Sequence, residues 1–145
     1  MMRWIWASLI IQALGYAFDA LWHGVLHPGA APTTVNEMLR HLGSVHLPLY
    51  VGALNLLVST FMTLIRERGW SAAGLALPAA FVGALASVTA EAWHAYSHLR
   101  LDTHSGPIAG TLSFVGFAIV VIAMSALARR RRRQRAGAVR TRRAA

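Results

Sequence analysis

A chain of 145 residues that is 56% hydrophobic and only 13% charged, with a mean hydropathy of +0.48, falls well short of the roughly 25% charge of a soluble domain and points to lipid. It has no cysteine, which excludes disulfides, thiolate metal sites and thiol catalysis. The net charge of +9 is all arginine, and nine of the fourteen arginines lie from Arg129 onward. The basic character therefore belongs to a tail that fixes topology and touches anionic lipid, and no nucleic-acid partner is expected.

Four apolar stretches, about residues 4–26, 45–65, 70–97 and 107–128, contain no Lys or Arg. Each approaches the 20 residues that cross a hydrocarbon core about 30 Å thick at 1.5 Å per residue. The first is expected to stay in the mature protein. It lacks a convincing small-x-small cleavage site after its apolar core, carries Asp19 and His23 near its end, and is echoed later in the chain. Between the first two stretches, Thr34 and Glu37 form a capping-box pattern ahead of a short helix over about 35–42, expected to lie at the interface as a lid. Pro48 and Pro107 sit near helix starts, where a missing N–H costs little, whereas Pro78 predicts a kink early in the third helix.

Arg3, Arg66, Arg68 and the tail from 129 to 145 fall on one side, against Arg40 and Arg100 on the other. Both termini of a multi-pass protein of the cell membrane are then expected to be cytoplasmic. Trp4, Trp6 and Trp70 read as an inner aromatic belt, and Trp22 and Trp93 as outer belt residues or walls of a site.

The strongest pattern is internal. Trp22-His23-Gly24-Val25-Leu26-His27 closes the first apolar stretch and Trp93-His94-Ala95-Tyr96-Ser97-His98 the third, both W-H-x-x-x-H with an acid upstream, Asp19 or Glu91. A further histidine precedes a proline in each half, His46 before Pro48 and His104 before Pro107. The expected fold is all-α, a single four-helix transmembrane bundle over 1–128 made of two tandem hairpins in parallel repeat.

Helical spacing stacks Asp19, His23 and His27 at i, i+4 and i+8, and Glu91, His94 and His98 at i, i+3 and i+7. His46 and His104 are expected to enter at the same level. His41 has no counterpart in the repeat; it reads first as ordinary polar packing between helices and second as a ligand reaching in from the loop helix. Six imidazoles and two carboxylates suit a divalent transition metal such as Zn, Fe or Cu, the repeat suggesting a dinuclear centre near the non-cytoplasmic face. Acids inside a bilayer cost about 2.5–3.5 kcal/mol each on insertion scales, which a metal ion, a protonated histidine or neutralisation would each offset.

The H-x-x-x-H boxes at His23/His27 and His94/His98 resemble the histidine clusters of membrane desaturases and hydroxylases with dinuclear iron. Those families' H-x-x-H-H boxes are absent here, and the site expected here faces outward. Three readings follow: a metal-binding membrane protein, in enzymatic form a metal-dependent oxidoreductase or hydrolase acting on a small lipophilic or periplasmic substrate; a bis-histidine haem b carrier; or a metal- or proton-handling transporter or sensor. The apolar runs 56–65 and 115–127 argue against a continuous polar path for the last. Gly106 and Gly110 form a G-x-x-x-G read as packing within the bundle, with a homo-oligomer left open. Gln12, Tyr16 and Asn55 are candidates to extend a polar lining inward.

Overall fold

The structure, a computed structural model, describes residues 2–29, 32–67, 74–102 and 105–144. Among these residues every regular element is helical: α1 (Met2–Leu21), α2 (Val35–His41), α3 (Leu47–Arg66), α4 (Ala76–Leu99) and α5 (Ser105–Ala144). Two wide π turns, Trp22–Leu26 after α1 and Leu42–His46 between α2 and α3, interrupt the α geometry. Four helical spans are long and apolar enough to cross a membrane.

The local chemistry explains the boundaries. Thr34 accepts from the Glu37 amide at 3.3 Å and the Glu37 carboxylate accepts from the Thr34 amide, so the capping box forms and starts α2. The expected lid is not a separate element, however. α2 runs through the π turn into α3 as one span from Val35 to Arg66. Pro48 follows that turn directly, where a wider i→i+5 turn relieves the clash of its ring with the preceding carbonyls. Pro78 produces no kink: α4 starts at Ala76, which leaves the proline in the first turn with no helical bond to lose. Trp70 lies outside the described residues. α5 continues through the arginine tail rather than ending near residue 128, arginine being itself a good helix former.

α1 packs on α3, α4 packs on α5, and α3 joins α4 between the two pairs. The pairs close at glycines. A Cβ on Gly52 would stand 2.5 Å from the Gln12 amide nitrogen, and one on Gly116 would stand 2.6 Å from the Gly83 carbonyl oxygen. Backbones this near gain dispersion contact that any larger side chain would forbid. An apolar core of Ile5, Leu9, Leu56, Leu77, Val120 and Met124 fills the end of the bundle near Arg3.

Polar groups sit inside and apolar groups outside along most of the bundle. Gln12, Thr60, Thr63, Ser87, Ser113 and Glu91 are buried, while Ile10, Leu14, Val82 and Ile122 are exposed. Water would oppose this distribution and hydrocarbon favours it. Gln12 donates to Ser87 at 2.7 Å and to Tyr16 at 3.1 Å, Tyr16 meets Ser113 at 2.6 Å, and Ser113 meets Ser87 at 3.0 Å. That network ties α1, α4 and α5 together. Asn55 is not part of it, being exposed on the outer face of α3.

Candidate metal centre

Among the described residues, five histidines meet at one end of the bundle. His23 comes from the wide turn after α1, His41 from the last turn of α2, His46 from the second wide turn, and His94 and His98 from α4. They form two triads, His23/His41/His46 and His46/His94/His98, each with one ligand-capable atom per residue within 4.8 Å of the others. His46 belongs to both and is only 1% exposed. Its Nε2 lies 3.2 Å from that of His41, and the Nε2 atoms of His94 and His98 are 2.8 Å apart. Nitrogens bound 2.0–2.1 Å from a tetrahedral ion stand about 3.3 Å from one another, which suits the His41–His46 separation, whereas that of His94 and His98 is the length of a hydrogen bond between the rings.

The outer partners point the ring nitrogens. His94 Nδ1 lies 3.2 Å from the Gly106 carbonyl, which can only accept. The proton therefore sits on Nδ1 and the Nε2 lone pair turns to the cluster, the arrangement by which a backbone carbonyl orients a metal-binding imidazole. Asp19 stands beside the other triad, although neither its Oδ1 nor His46 Nδ1 has a well-formed hydrogen bond. Its Oδ1 is 3.3 Å from His46 Nδ1 and 3.5 Å from His23 Nε2.

Asp19, His23, His46, His94 and His98 border a pocket of about 360 Å3, joined by Asp102. Asp102 was not singled out by the sequence patterns because it belongs to neither box. It follows Leu101, whose φ of 55° reverses the chain beyond α4, and its amide donates back to the Ser97 carbonyl. A leucine in the left-handed region is the strained feature that marks this turn. Gly110 borders the same pocket, and a Cβ there would meet nothing within 4 Å. The G-x-x-x-G of α5 therefore opens space beside the histidines rather than bringing helices together.

Other expected ligands are placed elsewhere. His27 is exposed and its ring stacks on Trp22 with centroids 4.0 Å apart, outside both triads. The cause is local. The His27 amide bonds the Trp22 carbonyl, an i→i+5 closure, so the turn holds an extra residue and i+4 no longer returns to the face of His23. His104 lies outside the described residues. Glu91 is buried, 4% exposed, but belongs to neither triad.

Glu91 instead borders a second, inner cavity of about 240 Å3 with Tyr16, Asp19 and His94. Neither of its oxygens has a well-formed hydrogen bond, and the Tyr50 hydroxyl is unsatisfied too. Asp19, His94 and Gly110 border both cavities, so the inner one adjoins the histidine pocket. Buried acceptors left open in this way are commonly met by water.

Fold and site together define a class: an all-helical protein with four spans of membrane-crossing length and histidine groups at one end that could hold a metal ion. No family model, curated protein or solved structure matches the chain.

Proposed function

We propose that this is an integral membrane protein that binds a divalent transition metal, Zn, Fe or Cu, in the five-histidine cluster near the non-cytoplasmic face. The observation that carries the reading is His46, buried and shared by two histidine triads with its far nitrogen beside the Asp19 carboxylate. Five neutral imidazoles with one partnering carboxylate are a borderline-soft donor set. One ion per chain is expected, because both triads draw on the same ring; two ions would make His46 a bridging imidazolate.

Three protein ligands beside an open pocket are the donor count of reactive rather than closed structural zinc sites. The pocket next to the triads leaves room for a water or a small substrate, which supports a metal-dependent oxidoreductase or hydrolase as the enzymatic form of this reading. The positive-inside distribution of arginine supports cytoplasmic termini, and the apolar exterior supports residence in the membrane.

Elemental analysis of the purified protein against His46→Ala tests the proposal. About one ion per chain is expected in the parent and near none in the variant. Equal metal content in the two sinks the idea. An absorption spectrum of the same samples with a Soret band would replace the metal-ion reading by haem b.

A further inference from the structure

The end of the bundle opposite the histidines carries a second built site. Arg3 at the start of α1, Arg66 at the end of α3 and Arg131 on α5 border one pocket of about 570 Å3, together with Met2, Thr63 and Glu67. Three arginines from three separate helices thus border one space, with a single carboxylate among its described lining residues. Counting Arg3, Arg66 and Arg131 against Glu67 gives 3 − 1 = +2 for the pocket.

That carboxylate is already engaged. Arg131 Nη2 donates to both Glu67 oxygens, at 2.7 and 2.5 Å, which fastens the tail extension of α5 to the end of α3. The contact also holds Arg131 at the pocket rather than letting it trail with the rest of the tail. Like charges gathered in one concavity repel unless an anion joins them. The planar guanidinium fork matches the oxygens of an oxyanion such as phosphate. Trp4, exposed one residue after Arg3, marks the same level as a membrane interface. Basic pockets between helices at the cytoplasmic interface are where anionic headgroups bind.

We propose that the Arg3/Arg66/Arg131 pocket binds a phosphate group, delivered by the headgroup of an anionic phospholipid. The inference rests on the membrane reading above but not on the metal.

The test uses the full-length protein in a mild zwitterionic detergent, titrated separately with phosphatidylglycerol, phosphatidylcholine and inorganic phosphate. Bound ligand is counted by native mass spectrometry, and thermal shift is read in parallel. Phosphatidylglycerol is expected to remain bound and phosphatidylcholine to be lost. Arg3→Gln/Arg66→Gln is expected to weaken phosphatidylglycerol binding by at least about tenfold. Arg132→Gln/Arg133→Gln removes the same charge from the tail outside the pocket and is expected to change binding less than about twofold.

Equal losses in the two double variants would mean diffuse attraction to the tail and would overturn the proposal. So would failure of both phosphatidylglycerol and phosphate to bind. Inorganic phosphate binding as tightly as the lipid would keep the phosphate chemistry and overturn the lipid as its source. Metal content measured on the same samples keeps the fate of the histidine site separate, and recovery in the washed membrane fraction reports on membrane residence independently.

Discussion

The two W-H-x-x-x-H boxes carry the same residues at the same spacing and end in different geometries. In the second box, α4 stays regular through His98, and the rings of His94 and His98 meet with centroids 4.4 Å apart on one face. In the first, the helix widens at Trp22–Leu26, His23 stays in the cluster, and His27 swings out to stack on Trp22. The vacated role is filled by His41, whose ring lies 5.0 Å from that of His23 and 4.9 Å from that of His46. An identical motif is thus a pair of ligands on a regular helix and a single ligand on a widened one. The spacing of a histidine box has meaning only through the hydrogen-bond register of the helix that carries it.

Removing the second box entirely should have the largest consequence. Structural zinc sites bind with about 10–16 kcal/mol over four ligands, so each imidazole is worth roughly 3 kcal/mol, about 100-fold. His94→Ala/His98→Ala is therefore expected to lower metal affinity by about four orders of magnitude in competition with a chelating dye. His23→Ala/His27→Ala leaves the His46/His94/His98 triad whole and should cost less than the roughly 100-fold of one lost imidazole. Equal losses for the two boxes would restore the symmetric arrangement that the sequence suggests.

Asp19→Asn should come next. It keeps the shape but weakens the acceptor beside His46 and His23, and partners of this kind are worth about 10–100-fold in affinity. Glu91→Gln, on the matching acid of the other box, should leave metal affinity within about twofold, since its oxygens lie outside both triads. An effect of Glu91 as large as that of Asp19 would mean that the inner cavity takes part in coordination.

Acidification offers a graded version of the same test. Imidazoles bind metal through a neutral nitrogen, so protons compete, and affinity should fall with acidification. The parent should lose affinity more steeply with falling pH than His94→Ala/His98→Ala, which has two fewer imidazoles to protonate. The smallest effect belongs to His27→Ala: less than about a twofold change in affinity, together with loss of the ring stacked on Trp22. A large loss there would place His27 in the centre after all.

Much of the fold was legible because hydrocarbon-length apolar runs and proline positions are one-dimensional signals. The first helical span, including its wide turn, ends at Leu26 as expected, the capping box at Thr34 and Glu37 forms, and each apolar run carries one span, although the second starts earlier, at Val35, the third later, at Ala76, and the fourth runs on to Gly137. The widened turns were not legible. They change the hydrogen-bond register of a helix, which no periodicity encodes. The burial of His41 follows from the second of these turns, because α2 continues into α3 instead of lying apart as a lid. The glycine contacts at Gly15 and Gly52 were equally hidden, since nothing about an isolated glycine says which backbone it will face.

By itself the sequence determined that histidines would gather toward one end of four long helices, because residue type and position along an apolar run set the depth of a side chain. Tertiary structure alone decided which of them meet. Asp19 stands four residues before its histidine and Glu91 three before its own, which turns the two acids to opposite flanks of a helix whose residues advance by about 100°. The close packing of α1 on α3, the wide turn before Pro48 and the reversal at Leu101 then brought Asp19, His41 and Asp102 to the histidine end and left Glu91 and His27 outside both triads.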